Sequence, residues 1–253
     1  MPRTQETYTP GYSEPTLRLM LKRTAARHAA FFTPVLRRGM RLLDCGCGPG
    51  TITADLAELV SPGHVFGIDL EPTQLRSALL LSRERCVNPS FGVASIYALP
   101  FSDGQFDAVF AHALFEHLRE PGKALLEMKR VLKPSGSVGI RSPDWAGWMV
   151  HPPGPLLEQA LHLFRQMQIA NGGNPYVGRA LKGLLRELGF CKISISASYE
   201  IFDDLPCFVE WLASCLEPRG HAELRQNAQE VRAWCEHPDA LVAVSWFEAL
   251  GAA

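Results

Sequence analysis

The sequence predicts an α/β fold built on a doubly wound, mostly parallel sheet. Three observations carry this reading. Apolar runs of strand length alternate with stretches of helical period. A loop holding Asp44, Gly46, Gly48 and Gly50 joins the first apolar run to the first following helix. An acidic residue, Asp69, closes the next apolar run, Val65-Phe66-Gly67-Ile68. Units of this kind connect with a right-handed crossover and bind ligands outside the carboxyl edge of the sheet.

Residues 1–13 are rich in Thr, Pro, Tyr and Gly and read as an irregular arm. Ser13 is placed to cap a helix opening at Glu14-Pro15, since proline is tolerated in a first turn. Leu17, Leu21, Ala25, His28, Phe32 and Val35 then recur at helical spacing, and His28 on that stripe reads as a packed histidine. A strand is expected at 41–45 and a helix at 51–60, stopped by Ser61-Pro62-Gly63. The second strand falls at 64–69. Pro72 opens a helix that turns Leu75, Ala78 and Leu79 inward. Further strands are expected at 91–95 and 106–111.

The helix from Pro121 places Ala124, Leu125, Met128, Val131 and Leu132 on one face, and Pro134 and Gly136 end it. A fifth strand follows at 137–141. The rhythm breaks over 143–176, where Pro143, Pro152, Pro153, Pro155, Gly172, Gly173 and Pro175 bracket a helix carrying Leu157, Ala160, Leu161, Phe164 and Met167. An insertion after the fifth strand lies above the ligand-binding edge, so 143–176 reads as a lid. The sheet helix resumes at 177–188, with a strand at 192–199, a helical segment at 205–234 and a last strand at 241–247. One domain is expected over 1–253: an N-terminal arm and helix at 1–39, a cofactor-binding core at 40–142, the lid, and a C-terminal completion of the sheet at 177–253.

The glycine loop narrows the ligand. Glycines let the chain turn sharply and approach a ligand without a Cβ in the way. Asp69, at the end of the second strand, is placed to accept hydrogen bonds from both hydroxyls of a ribose. A dinucleotide fingerprint wants G-x-G-x-x-G or a final alanine. Counted from Gly46 its last position is Thr51, and from Gly48 it is Thr53, so neither fits. The pattern is D-x-G-x-G-x-G. Asp44 suits an ammonium better than a pyrophosphate, because like charges repel. S-adenosylmethionine carries an ammonium and a ribose and no phosphate.

Further segments agree. They are Leu99-Pro100-Phe101-Ser102-Asp103-Gly104-Gln105-Phe106-Asp107, Phe115-Glu116-His117-Leu118 and Val131-Leu132-Lys133-Pro134-Ser135-Gly136. With the glycine loop, they make residues 40–142 resemble the class I S-adenosylmethionine-dependent methyltransferases, in particular the small-molecule branch that includes the ubiquinone/menaquinone methyltransferases. The resemblance implies a Rossmann-like, seven-stranded sheet whose last strand is antiparallel. It implies that Gly46, Cys47 and Gly48 line the methionine portion of the cofactor, with Asp44 nearby. Asp69 would hold the ribose, beside Leu70 and Gln74. Ser95 and Ile96 would flank the adenine. The branch usually carries an acid where Ser95 stands, so adenine recognition is expected to be altered: a hydroxyl accepts, but without charge. Tyr12, with Tyr8, would cover the cofactor from the arm.

Composition excludes several alternatives. The chain has 253 residues, 25 basic and 26 acidic, for a formal net charge of −1. No cationic field is present to hold a phosphate backbone, so a nucleic-acid partner is not expected. No apolar run reaches membrane-spanning length, and the N-terminus lacks the apolar core of a signal peptide. Seven scattered cysteines fit reduced thiols and a cytoplasmic location. Cys45 and Cys47 are spaced too closely for a zinc pair and read as small apolar residues flanking Gly46.

The implied electrophile is a sulfonium methyl, so the chain has mainly to align a nucleophile and exclude water. A base is needed only if the nucleophile holds its proton. His117 is the candidate base, its ordinary pKa being nearest neutrality. His112 is placed to contact the methyl donor. Trp145, Trp148, His151 and Tyr176 on the lid are placed to hold an apolar or aromatic small-molecule acceptor. No metal is expected, because Asp144 is the single acid just after the fifth strand. The segment Ala111-His112-Ala113-Leu114 departs from the N-P-P-Y type that grips a nucleobase amine. Two alternatives keep the cofactor: cyclisation or elimination without methyl transfer, and binding without turnover. An NAD-dependent oxidoreductase is disfavoured by Thr51.

Overall fold

The structure is a computed structural model that describes residues 6–216 and 222–253. Its centre is a seven-stranded sheet of order β3-β2-β1-β4-β5-β7-β6. The strands are β1 (Arg41–Cys45), β2 (His64–Asp69), β3 (Ser90–Val93), β4 (Phe106–His112), β5 (Leu132–His151), β6 (Cys191–Ile201) and β7 (Leu241–Ala252). Strands β1 to β5 pair in parallel, and β7 runs antiparallel to both β5 and β6. The expected fold class is the observed one.

Strand periodicity explains the two layers that cover the sheet. Successive side chains point to opposite faces. Leu43, Val109 and Ala111 therefore pack with Leu125 and Met128 of α5 (Pro121–Val131) and Leu181 of α7 (Val177–Glu187). Their neighbours Leu42, Ala108 and Phe110 face the other way, against Ile52, Leu56 and Val60 of α3 (Thr51–Val60) and Phe32. Both faces are covered, which is why the central strands are apolar almost throughout.

The N-terminal stripe does not form one helix. It divides into α1 (Glu14–Leu21), α2 (Ala25–His28) and a 3₁₀ turn at Thr33–Val35. Thr24 breaks the run: its hydroxyl caps α2, accepting from Arg27 N at 3.3 Å. Ser13 caps α1 as expected. The buried face of α1 is Thr16 and Met20, whereas Leu21 is 47% exposed. Helix α4 (Pro72–Glu84) likewise buries Leu75 and Ala78 but exposes Leu79, because Ser82 takes the inward place and donates to Ala78 O at 2.8 Å.

The break expected at residue 143 falls later. Pro143 and Asp144 stay in the sheet opposite Trp246 and Ser245, and Met149–His151 pair with Leu241–Ala243. The partner strand comes from about 100 residues further on, so no local signal announces the extension. A register shift between Asp144 and Met149 absorbs the irregularity. Gly147 sits there because a Cβ would lie 2.0 Å from Ser245 Oγ. The insertion proper is α6 (Pro155–Ala170) and the turn after it. The segment expected as one helix at 205–234 is α8 (Leu205–Leu216) and α9 (Ala222–Cys235), with 217–221 outside the described residues. Helices α6, α8 and α9 form a third core around Trp145, Phe164, Phe208 and Trp211. Among the described residues, no helix is long and apolar enough to cross a membrane.

Candidate functional site

The glycine loop leaves β1 at its carboxyl end. Gly46, Gly48 and Gly50 all have positive φ, at 71°, 52° and 80°. The N–H groups of Gly46 and Cys47 donate to Ile68 O at 2.8 and 3.0 Å, and Gly48 N donates to Asp69 Oδ2 at 2.9 Å. Three N–H groups that would cradle a phosphate are thus already committed. What the loop offers is close approach and negative charge, which suits a cationic ligand better than an anionic one.

Two carboxylates set that charge. Asp44 is buried at the end of β1, where Oδ2 accepts from Thr53 Oγ1 at 2.6 Å. Burial pushes its carboxyl up to about 7, although the Thr53 hydrogen bond acts against this. Burial also raises Asp69, opposed by backbone hydrogen bonds that include Glu71 N to Oδ1 at 3.0 Å and Gly48 N. An ammonium beside Asp44 would favour the ionised form. Cofactor binding below about pH 7 is therefore expected to release protons from Asp44, and binding at pH 8.5 to release few. Calorimetry in buffers of different ionisation enthalpy reads this directly. Release independent of pH, or unchanged in Asp44→Asn, would remove Asp44 from the ammonium site.

The loop opens on a cavity of about 640 Å³. Every residue expected at the cofactor lines it: Asp44, Gly46, Cys47, Gly48, Asp69, Leu70, Gln74, Ser95, Ile96, His112 and, from the arm, Tyr12. Gln74 is buried with Oε1 unpartnered, leaving an acceptor for a ligand donor. Ser95 lies past the end of β3, and its hydroxyl accepts from Tyr97 N at 3.2 Å. Glu6, Arg23 and Tyr97 also line the cavity, and sequence reading did not single them out. Glu6 Oε1 ties the arm down, accepting from Tyr97 OH at 2.5 Å and Arg119 N at 2.6 Å. These three belong to no local motif; long-range packing brings them in.

A second cavity, of about 130 Å³, shares Tyr8, Met20, Arg23, His112, Ala113 and His117 with the first. His112 ends β4 in the shared wall. It is buried between His28 and Trp246, each ring 5.0 Å away, and both ring nitrogens lack a partner. Burial, helped by the charges of Arg23, Arg141 and His28, holds it well below the usual histidine range. His28 is the packed histidine expected, with Nε2 3.3 Å from Glu200 Oε1.

His117 lies in the 3₁₀ turn Phe115–His117, with the Tyr8 ring edge-on at 4.6 Å. Its Nδ1 is 3.4 Å from Gln168 Nε2 and its Nε2 is 3.6 Å from Glu116 Oε1. A titration near neutrality was expected here. Burial, with the charge of Arg23, instead pushes His117 down to about 3. The neutral-range group is its neighbour. Glu116 is buried, accepts from Ser142 Oγ at 3.1 Å, and is raised to about 7 by burial.

Of the aromatic residues expected on the lid, Trp145 lines the second cavity, with Trp148 stacked behind it at 4.9 Å. His151 and Tyr176 are exposed and line neither cavity, because the extended β5 carries His151 beyond the sheet edge. Asp144 is paired with Arg179 through both carboxylate oxygens. Among the described residues, no cluster of three or more His, Cys, Asp or Glu is placed to hold a metal ion.

The fold, the glycine loop and Asp69 at the end of β2 together match the pattern of a class I S-adenosylmethionine-dependent methyltransferase domain. Residues 43–140 match the methyltransferase domain family. The chain is 39% identical over 171 residues to the uncharacterized methyltransferase C1B3.06c of Schizosaccharomyces pombe, covering 64% of this chain and 60% of that one. It is 29% identical over 177 residues to the ubiquinone/menaquinone biosynthesis C-methyltransferase UbiE of Yersinia pestis, covering 64% and 70%. The crystal structure of YcgJ from Bacillus subtilis superposes with a TM-score of 0.63 at 17% identity, over 95% of this chain and 98% of that one. Residues 43–140 thus carry a methyltransferase domain, the chain resembles the class I S-adenosylmethionine-dependent methyltransferases and their ubiquinone/menaquinone branch, and these likenesses support S-adenosylmethionine as its cofactor. It spans about half to three-fifths of the length of several of its curated relatives.

Proposed function

We propose that the chain transfers a methyl group from S-adenosylmethionine to a small, apolar or aromatic metabolite. The observation that carries this is the shared wall. A cofactor-sized cavity beside Asp44 and Asp69 meets a second cavity lined by Trp145, Trp211 and Trp246. A sulfonium in the first would present its methyl towards the second. The cofactor supplies the electrophile. The protein binds both partners in line and excludes water. Asp69 holds the ribose, Asp44 the ammonium, and Ser95 and Ile96 the adenine side.

His112 and His117 line the transfer point. Both are held uncharged, which spares the sulfonium a like charge. A contact role suits His117 better than proton abstraction, since its two nitrogens already face Gln168 and Glu116. The arm and the segment from α6 to Tyr176 act as the lid. Small-molecule chemistry in the cytoplasm fits this arrangement.

Incubation with methyl-labelled S-adenosylmethionine and a cell extract from the source organism is expected to yield S-adenosylhomocysteine together with a labelled small molecule. A transformed acceptor without S-adenosylhomocysteine would favour cyclisation or elimination. Tight cofactor binding with no product at all would favour a protein without turnover.

A further inference from the structure

Arg23 stands in the short link between α1 and α2 and lines both cavities. Its guanidinium makes no hydrogen bond or ion pair with any described residue. The basic residues beside it are occupied: Lys22 pairs with Asp204, and Arg27 with Asp203 at 3.2 Å and with Ile201 O at 3.1 Å. The acids of the second cavity are taken as well. Glu200 is held down at about 2, against its burial, by His28 and Arg141. Glu116 accepts from Ser142 and feels the charge of Arg23 without a hydrogen bond to it, so among the described residues Arg23 has no ion-pair partner at the point where the methyl would cross. Its charge already acts on His112 and His117.

We propose, building on the methyl-transfer reading above, that the acceptor is a carboxylic acid with an aromatic or apolar body, and that Arg23 holds its carboxylate for methylation on oxygen. A guanidinium fork matches the planar, two-oxygen geometry of a carboxylate. The indoles of Trp145, Trp211 and Trp246 suit the body. Trp145 Nε1 and Trp246 Nε1 have no hydrogen-bond partner, nor has either nitrogen of His112, so donors stand ready around an oxygen-bearing ligand.

The acid–base setting separates a carboxylic acid from an alcohol or phenol. His117 is weakly basic, and Glu116 is buried and half-neutral near pH 7. A carboxylic acid needs neither, because it arrives ionised. The step then balances without a proton. A carboxylate lone pair forms the O–CH3 bond as the S–CH3 pair returns to sulfur. The sulfonium becomes a thioether and the anion a neutral methyl ester.

The second cavity is close in size to the ~150 Å³ site that accepts benzene. Phenylacetate, with phenylacetamide as its neutral counterpart, is therefore the probe pair. Each is titrated into the S-adenosylhomocysteine complex and followed by tryptophan fluorescence. Phenylacetate is expected to bind roughly 10–100-fold more tightly than the amide, the range of a hydrogen bond to a charged group. Arg23→Gln should abolish the preference, and Arg23→Lys should keep part of it. Circular dichroism should stay close to wild type in both variants, and the preference is read as the ratio of the two probes within each variant at saturating S-adenosylhomocysteine, so that a change in cofactor affinity does not enter it. With S-adenosylmethionine, mass spectrometry should detect methyl phenylacetate. Equal affinities, binding of neither probe, or a preference that survives in Arg23→Gln would overturn the proposal. If the labelled-cofactor experiment gives S-adenosylhomocysteine and a methylated product that is not an ester, this inference falls and methyl transfer stands. If it gives neither, the broader reading falls first.

Discussion

Asp69→Ala is expected to weaken binding of both S-adenosylmethionine and S-adenosylhomocysteine by roughly 10–100-fold. A hydrogen bond to a charged acceptor contributes about 1.5–3 kcal/mol, and 1.4 kcal/mol is a factor of ten. The carboxylate also holds the glycine loop, accepting from Gly48 N at 2.9 Å and Glu71 N at 3.0 Å. Removing it leaves two backbone donors, and the hydroxyl donors of the ribose in the proposed mode, without their acceptor. Asp69→Asn keeps one acceptor oxygen without the charge, so its affinity should fall between the two. Calorimetry with each ligand measures the loss. In the proposed mode Asp69 addresses the ribose, which both ligands share, so the loss should be equal for the two. A loss confined to S-adenosylmethionine would place the acid near the sulfonium instead. Unchanged affinity in a folded Asp69→Ala variant would sink the ribose assignment.

Gly50→Ala is expected to cost about 2–5 kcal/mol of stability. Two causes add. Gly50 has φ of 80°, where a side chain costs about 1–2 kcal/mol. A Cβ there would also stand 2.6 Å from Ala78 Cβ, and overpacking costs about 1–3 kcal/mol. Gly104 separates the two. Its φ is 64°, but nothing lies within 4 Å of a Cβ built on it, so Gly104→Ala should carry the backbone cost alone. Urea unfolding should show both variants with lowered midpoints, Gly50→Ala by the wider margin. Equal losses would mean that α3 and α4 separate freely enough to admit a methyl group. Gly50 opens α3. The Gly50 variant should therefore also lose cofactor affinity, whereas the Gly104 variant should not.

The cofactor half of this molecule was legible because its signals are local. Glycine and proline punctuate 41–72 so densely that β1, α3 and β2 have the bounds expected of them. The motif-like residues after β3 are structural and tie distant segments together: Asp107 accepts from Arg41 N at 2.8 Å and from Lys133 at 2.6 Å, and Asp103 pairs with Arg130 at 2.7 Å. What could not be read depends on distant chain. Met20 and not Leu21 faces inward, because Thr24 ends the helical run that would have put them on one stripe. The uncharged state of His117 comes from burial completed by Tyr8, Arg23 and Gln168, residues far from it in sequence. Arg23 itself is one arginine among several near α1, and pairing of the others is what distinguishes it.

The ribbon formed where β5 and β7 run on past the sheet has an evolutionary consequence. The segment that matches the domain family ends at residue 140, before the ribbon leaves the sheet. The helical core of α6, α8 and α9, from which α8 brings Trp211 to the second cavity, is reached from the ribbon's two free ends, at His151 and Leu241, and from Ile201 on the adjacent strand. Selection can therefore exchange this helical module of one lineage for that of another at four junctions, near His151, Tyr176, Ile201 and Leu241, while the half that carries the glycine loop is inherited intact. Chimaeras spliced at those junctions between this chain and a relative should inherit the acceptor preference of the module's donor.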